Sequence, residues 1–576
     1  MRLAPLFVLV CLLLTAPAAV AGELAPGLET QLARLAPDEP VRVLVVLREQ
    51  ADLAALDREL RTGKAATADR HHRVVAALQG VAAGSQAHLL ASLGADKTAG
   101  RVLGWTPHWL INSVVVVATA DAVRELALRP DVDRIEPDLV VELIEPAASD
   151  KAGAEKGTGY DKAGIGLVPG VRAVGAPRVW QELGIDGTGV VVGILDTGVD
   201  GTHPALAPRW RGNFAPAGEC WFDGAGLGDT DFPVDRHYHG THVMGTVTGF
   251  APGDTIGVAP GALWIASNVI NHPGSNEEFD NGVIASLEFM ADPDGDPTTS
   301  ADVPAVVHNS WGVNEAFEGY YDCDSRWWGV IDAVEAAGIV LTWSAGNEGP
   351  GPGTLRSPAD RASSPLNAFS VGSVAATAPY AVSSFSSRGP SGCGGVYAIK
   401  PEVVAPGNDV LSARPGGGYQ YLSGTSMAGP HVAGIVALMR ASNPDVDVAA
   451  IKQALLDTAL DLGTVGEDNA SGWGLVDAYA AVMAVKGGVG EITGTVTDQG
   501  TGLPLAGALV RLDGGYHQHF TGTDGVYRLV LPAGPATFTV TAFGYVDGSL
   551  AVTVPDGGVL GADLALVARP LAAVAG

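Results

Sequence analysis

Between about Val171 and Val485 the chain alternates between two kinds of segment, and this alternation limits the fold more than any other feature of the sequence. Apolar runs with strand character (Val190 to Leu195, Leu263 to Val269, Ala305 to Val307, Ile339 to Trp343) are interleaved with helical stretches at Asp280 to Met290, Trp327 to Ala337 and Ser426 to Arg440. Strands that are apolar on both faces and separated by helices predict a mostly parallel sheet flanked by helices, an α/β architecture. Sheets of this kind place their reactive groups at the carboxyl ends of the strands. Residues 171–487 are therefore expected to form the main domain, with its chemistry directly after the strand runs.

The flanks read differently. Residues 22–146 predict a small α+β unit: strands at Val41 to Leu47 and Asn112 to Ala118, and helices at Asp52 to Arg61 and Ala120 to Leu128, the last stopped by Pro130. A stretch rich in Ala, Gly and Lys follows, expected as a flexible linker over 147–170. Beyond Gly488 short β segments at Ile492 to Thr497, Ala508 to Leu512, Val526 to Leu531 and Thr537 to Ala542 are separated by Gly, Pro and Asp. Residues 491–567 thus predict a small β-sandwich.

The net charge of −29, from 34 basic against 63 acidic residues, repels phosphate and anionic lipid and excludes nucleic acid as an expected partner. Met1 and Arg2 precede an apolar stretch ending in Ala19-Val20-Ala21, the pattern of a cleaved signal peptide over 1–21; the expected location is secreted or extracytoplasmic. No later run is long and apolar enough for a stable membrane span. Outside the signal the cysteines are Cys220, Cys323 and Cys393, in a setting that permits one disulfide and one free thiol; the spacing does not select the pair.

Four segments carry groups suited to catalysis. Asp196 closes the run Val190 to Leu195, where a buried carboxylate can orient an imidazole, although an Asp there is by itself more often a cap or turn. His239 opens His239-Gly240-Thr241-His242-Val243, whose small residues allow a helix to start close to the sheet; no third ligand accompanies the two histidines, and H-E-x-x-H is absent. Asn347, in Ser344-Ala345-Gly346-Asn347-Glu348-Gly349, could donate to an oxyanion. Ser426, in Gly424-Thr425-Ser426-Met427-Ala428-Gly429-Pro430-His431, precedes a helical stretch; by default it is an N-cap, but there it would also serve as a nucleophile.

Occurring together and in this order, these segments resemble the subtilisin-like serine peptidases, and the resemblance extends through Asn309-Ser310-Trp311-Gly312, Phe385-Ser386-Ser387-Arg388-Gly389-Pro390 and Lys400-Pro401-Glu402. Within that family it is similar to the bacillopeptidase F-like branch. Residues 22–146 resemble an inhibitor-type prodomain, and residues 491–567 a carboxypeptidase regulatory-like domain. The resemblance implies a serine endopeptidase acting on protein or peptide substrates, made as a zymogen whose own prodomain is an intramolecular inhibitor. Ser426 would be nucleophile, His239 general base, Asp196 its orienting carboxylate, and Asn347 with the Ser426 N–H the oxyanion donors. Ser310, Trp311, Gly312, Ser344, Ala345 and Gly346 would flank the pocket for the residue before the cleaved bond, with Glu348 at its rim favouring a basic residue or Trp311 partly filling it.

No cofactor is implied for the chemistry. The family's structural calcium directs attention to Asp292, Asp294 and Asp296, for which an acidic surface loop is the simpler reading. Two rivals remain: a binding protein that keeps the fold without activity, and an acyl hydrolase. An α/β-hydrolase would require G-x-S-x-G with acid and histidine after the serine, whereas Ser426 follows both.

Overall fold

The computed structural model describes residues 21–138, 142–147, 166–229, 231–270, 279–314, 323–486, 489–513, 518–555 and 558–570. The expected signal peptide and most of the expected linker lie outside these residues. The N-terminal region runs β1 (Glu23–Leu24), α1 (Leu28–Leu32), β2 (Pro40–Leu47), α2 (Leu53–Thr62), α3 (Thr67–Ser85), α4 (Ala87–Thr98), β3 (Val102–His108), β4 (Ser113–Thr119), α5 (Ala120–Ala127) and β5 (Val132–Pro137). The long helices α3 and α4 and the strands β3 and β5 go beyond the elements legible in the sequence.

Packing divides the described residues into two compact units, one drawn from Met1–Ala51 and Gly80–Asp138 and the other from Asp52–Gln79 and Leu139–Gly576. The first is a five-stranded sheet in the order β1-β5-β2-β4-β3. Its central strands are β-branched runs paired antiparallel, Val43 opposite Val116 and Val45 opposite Val114, and such residues suit a half-buried pleated surface. Alternate side chains (Val43, Val45, Leu47; Val114, Val116, Ala118) bury against Leu89 and Leu93 of α4 and Val123 and Leu126 of α5.

The second unit holds a seven-stranded sheet in which every pairing is parallel. Its strands are β7 (Val191–Asp196), β8 (Trp221–Phe222), β9 (Leu263–Asn268), β10 (Val306–Asn309), β12 (Val340–Ser344), β13 (Phe369–Val374) and β14 (Val403–Pro406), in the order β14-β13-β12-β10-β7-β9-β8. Two short strands outside it, β6 (Glu142–Leu143) and β11 (Trp311–Gly312), pair with each other. The helices that concern the site are α6 (His239–Thr248), α7 (Phe279–Ala291), α8 (Trp328–Ala336) and α9 (Thr425–Ser442). Strand order reverses at β7, which lies between β9 and β10; this opens a crevice at the carboxyl end of β7, where Asp196 stands.

A disulfide joins Cys323 to Cys393, and Cys220 is a buried free thiol, so the pairing left open by the sequence falls to the two later cysteines. The described residues between 489 and 566 form two four-stranded sheets, one centred on Val489–Asp498 and one on Leu509–Leu512 and Gly534–Thr541. Ile492, Val496, Tyr527, Phe538 and Val540 are buried between them, as the alternation of short strands predicts.

Candidate active site

Asp196 and His239 are brought together by the start of α6. Asp196 is buried at the end of β7, and its Oδ1 lies 2.8 Å from His239 Nδ1 while also accepting from the N–H of Thr197. Glycine at 240 is required for this approach: a Cβ there would lie 2.0 Å from the carbonyl of Gly198 and 3.1 Å from Asp196 Oδ1. His239 Nε2 is buried with no hydrogen-bond partner, which leaves it free to accept a proton.

A second carboxylate, not singled out from the sequence, fixes the surroundings. Asp235 accepts from Thr197 Oγ1, the N–H of His237, and both the N–H and hydroxyl of Thr241, thereby capping α6 from the preceding loop. Burial raises its pKa to about 6, against the lowering effect of those donors. Thr197 Oγ1 in turn accepts from Gly240 N. The only sequence signal was an acidic residue shortly before His239.

Ser426 lies in the first turn of α9. The N-cap position belongs to Gly424, so the default reading of Ser426 as a cap does not hold. Asn347 is tied to the same turn: its Oδ1 accepts from Thr425 N at 2.9 Å and from Thr425 Oγ1 at 3.1 Å, which turns its Nδ2 outward as a donor. The site thus offers a serine hydroxyl, an imidazole backed by a carboxylate and a fixed amide N–H.

Residues 142–147 run through this site as an extended strand. Glu142 and Leu143 pair antiparallel with Gly312 and Trp311, Ile144 N donates to Ser310 O at 3.4 Å, and Ala147 N donates to Ser423 O at 2.7 Å. Ser426 Oγ donates to Ile144 O at 3.2 Å, whereas Asn347 Nδ2 donates to the next carbonyl, Glu145 O, at 2.7 Å. The two donors therefore meet neighbouring carbonyls. Ile144 is fully buried and the Glu145 side chain is exposed.

Of the expected pocket residues, Ser310, Trp311 and Gly312 meet this strand directly. Ser344 reaches Ser310 through their hydroxyls at 3.4 Å, Ala345 N bonds to Val371 O, and Gly346 N bonds to Thr425 Oγ1. The Trp311 indole packs edge-to-face on Trp327 and Trp343 and donates to Asn309. The expected role of Glu348 needs correction: Arg356 grips its carboxylate at 2.6 and 3.0 Å, and Ser387 and Asn347 N donate to it, so its charge is spent internally rather than offered to a basic side chain.

His308, just before Asn309 and also unforeseen, lies buried behind Ser310. Its Nε2 is 2.8 Å from Ser310 Oγ and its Nδ1 2.9 Å from Thr342 Oγ1; burial pushes its pKa down to about 3, so the ring is neutral. Gly429 makes the room, since a Cβ there would sit 2.0 Å from the ring's Cε1. At the loop considered for calcium, the carboxylates are partly engaged by protein donors. Asp294 and Asp296 accept from their own loop's Thr299, Thr298 and Asp296 N, Asp292 accepts from Gln79, and no group of three or more His, Cys, Asp or Glu suited to a metal occurs among the described residues.

Compared with known proteins, residues 187–474 match the Subtilase family and residues 491–567 the Carboxypeptidase regulatory-like domain. Bacillopeptidase F of Bacillus subtilis (strain 168) is 34% identical over 447 residues, 74% of this chain and 30% of that protein. Fervidolysin of Fervidobacterium pennivorans is 29% identical over 460 residues, 73% of this chain and 60% of that protein. The chain thus spans less than two thirds of either relative. Subtilisin Savinase of Lederbergia lenta is 32% identical over 313 residues, 54% of this chain and 97% of that protein. The crystal structure of fervidolysin, described as a keratinolytic enzyme related to subtilisin, superposes with a TM-score of 0.53 at 22% identity, over 95% of this chain and 80% of that one.

Proposed function

Since the chain belongs to the subtilase family, we propose that it is an exported serine endopeptidase, made as a zymogen that cuts away its own N-terminal segment. Ser426 Oγ attacks the scissile carbonyl carbon as His239 Nε2 takes its proton, and the carbonyl π electrons move to oxygen. Asn347 Nδ2 and the Ser426 N–H stabilise that oxyanion. The tetrahedral adduct collapses to an acyl-enzyme as the imidazolium, held in its tautomer by Asp196, protonates the leaving amine. Water then repeats the sequence and releases the acid. Side chains and water suffice, and no cofactor enters.

The observation that carries this reading is the strand in the cleft. Residues 142–147 lie as an extended peptide against Ser310–Gly312, with the carbonyl of Ile144 beside the nucleophile. Ile144 is fully buried and Glu145 faces solvent, which supports our reading that the cut falls at the Ile144–Glu145 bond, with an aliphatic residue favoured before it. Reaction requires the oxyanion donors to converge on the Ile144 carbonyl, a shift of one residue at Asn347. The signal-like leader and the absence of any single helix among the described residues that is long and apolar enough to cross a membrane agree with export.

The test is expression in a host lacking other exported proteases. Mass spectrometry should find a mature N-terminus at Glu145 in the wild type, and an uncut chain without peptide hydrolysis for Ser426→Ala. Cutting of Ser426→Ala at that same bond would assign processing to another enzyme.

A further inference from the structure

The segment Asp52–Gln79 belongs by sequence to the N-terminal region, yet it packs within the second unit. Its seat is at the amino end of the parallel sheet. Thr67 and His71 from α3 line a cavity of about 370 Å³ together with Val190 before β7, Ala305 before β10, Gly338 before β12, and Arg440 near the end of α9. The helix α2 packs on α8.

Three helices, α7, α8 and α9, end in this neighbourhood, and a helix end leaves its last carbonyls without partners inside the helix. The first turns of α3 supply donors for them. His71 Nε2 lies 2.7 Å from the carbonyl of Ala291, the last residue of α7, and Arg70 Nη1 donates at 3.3 Å to the carbonyl of Ala336, the last residue of α8. Beyond α9, Thr67 donates from its N–H to Asp445 at 3.1 Å and from its hydroxyl to Pro444 O at 3.0 Å; Arg440 donates to Thr67 Oγ1 at 2.8 Å and to Gly338 O at 2.7 Å. Gln79 adds a bond to Asp292 at 2.9 Å. Arg70 and His71 are themselves buried, and a basic side chain at a helix C-terminus also meets the negative end of the helix dipole.

We propose that Asp52–Gln79 is a latch, a second attachment of the N-terminal segment to the enzyme body, at the end of the sheet away from the nucleophile. The inference rests on the self-processing reading and goes beyond it. Hydrolysis of Ile144–Glu145 cuts the covalent link but touches none of the latch contacts. The released segment is then held at two places on one polypeptide: when the tail leaves the cleft, the latch keeps it at high local concentration, so it rebinds rather than diffuses away. The enzyme therefore stays closed after the first cut, and activity appears only when the latch lets go or is digested.

The test uses the full chain as wild type, Asp445→Ala and Arg70→Ala, following the cut by gel, fragment retention by size-exclusion chromatography and peptide hydrolysis over time. The wild type should cut promptly, keep the fragment in co-elution and show a lag before activity; each variant should cut at the same rate and lose its fragment, with the lag shortened about tenfold or more. Unchanged co-elution and lag in both variants would overturn the latch alone. An uncut wild type would overturn the self-processing reading and the latch with it. Should the variants fail to accumulate, hydrogen exchange on the cut wild-type complex decides: amides of Thr67–Gln79 remain protected if the latch holds, and free exchange there refutes it.

Discussion

The two ends of the parallel sheet hold the N-terminal segment by opposite means. At the carboxyl end, residues 142–147 are held mainly by backbone: the pairing of β6 with β11, and the bonds from Ile144 N and Ala147 N. At the amino end, nearly every bond involves a side chain, those of Thr67, Arg70, His71, Gln79, Arg440 and Asp445 among them. Backbone pairing is the same for almost any sequence, so under the proposed function a cleft built on it would accept many extended peptides and select only where a side chain is buried, here at Ile144. Caps made by particular side chains fit one partner. Under the proposed function, this division would serve a peptidase that takes varied substrates and is restrained by a single polypeptide.

The contrast can be tested from both sides. The largest effect is expected at the carboxyl end: Asn347→Ala should lower kcat by about 10²–10³-fold, some 3–4 kcal/mol of transition-state stabilisation, with KM little changed and fragment retention unaltered. A raised KM with normal kcat would instead assign Asn347 to gripping the substrate backbone, as it grips Glu145 O in this state.

A smaller effect concerns Asp235, whose carboxyl pKa is pushed by burial from the ordinary 3.8 of an aspartate up to about 6 in the folded state. The folded state then binds more protons between those values, so this group's contribution to stability is fully present below about pH 4 and is lost as pH rises through about 6. In an inactive Ser426→Ala background, Asp235→Asn should abolish that loss: the stability of Asp235→Asn relative to its parent should improve by about 1–3 kcal/mol from pH 4 to pH 8. Melting curves across that range check it, and a difference that does not vary with pH contradicts it.

The smallest expected effect is that of truncation after Lys486, which removes a sandwich with its own core and should leave hydrolysis of a short peptide within about twofold. A folded, processed truncation that cannot cleave the peptide would give the sandwich a part in one of the two ends.

What the sequence conveyed follows the same division. Asp196, His239, Asn347 and Ser426 stood in short local patterns beside strand or helix boundaries, and the geometry of each depends on those few neighbours. The α3 helix was missed because its apolar residues do not gather on one clear face and Gly80 and Gly84 interrupt it, and the partners that fix its start, Ala291, Ala336 and Asp445, are hundreds of residues away. Glu348 was misjudged for a similar reason: Arg356 is near in sequence, but only the turn between them places its guanidinium on the carboxylate. His308 carries no pattern of its own, and its meaning comes from Gly429 in a different element.

The bond from Thr425 to Asn347 has a mechanical consequence. Ser426 and Asn347, the proposed nucleophile and oxyanion donor, are fastened to one turn of one helix, while His239 and Asp196 are joined to each other on α6 and β7. The spacing between Ser426 and Asn347 is thus set within one turn, whereas that between Ser426 and His239 is set by the packing of α9 on α6. Under the proposed mechanism two adjustments then remain, the approach of His239 to Ser426 and the seating of the scissile carbonyl against Asn347, and the second falls to the bound peptide rather than to the helix.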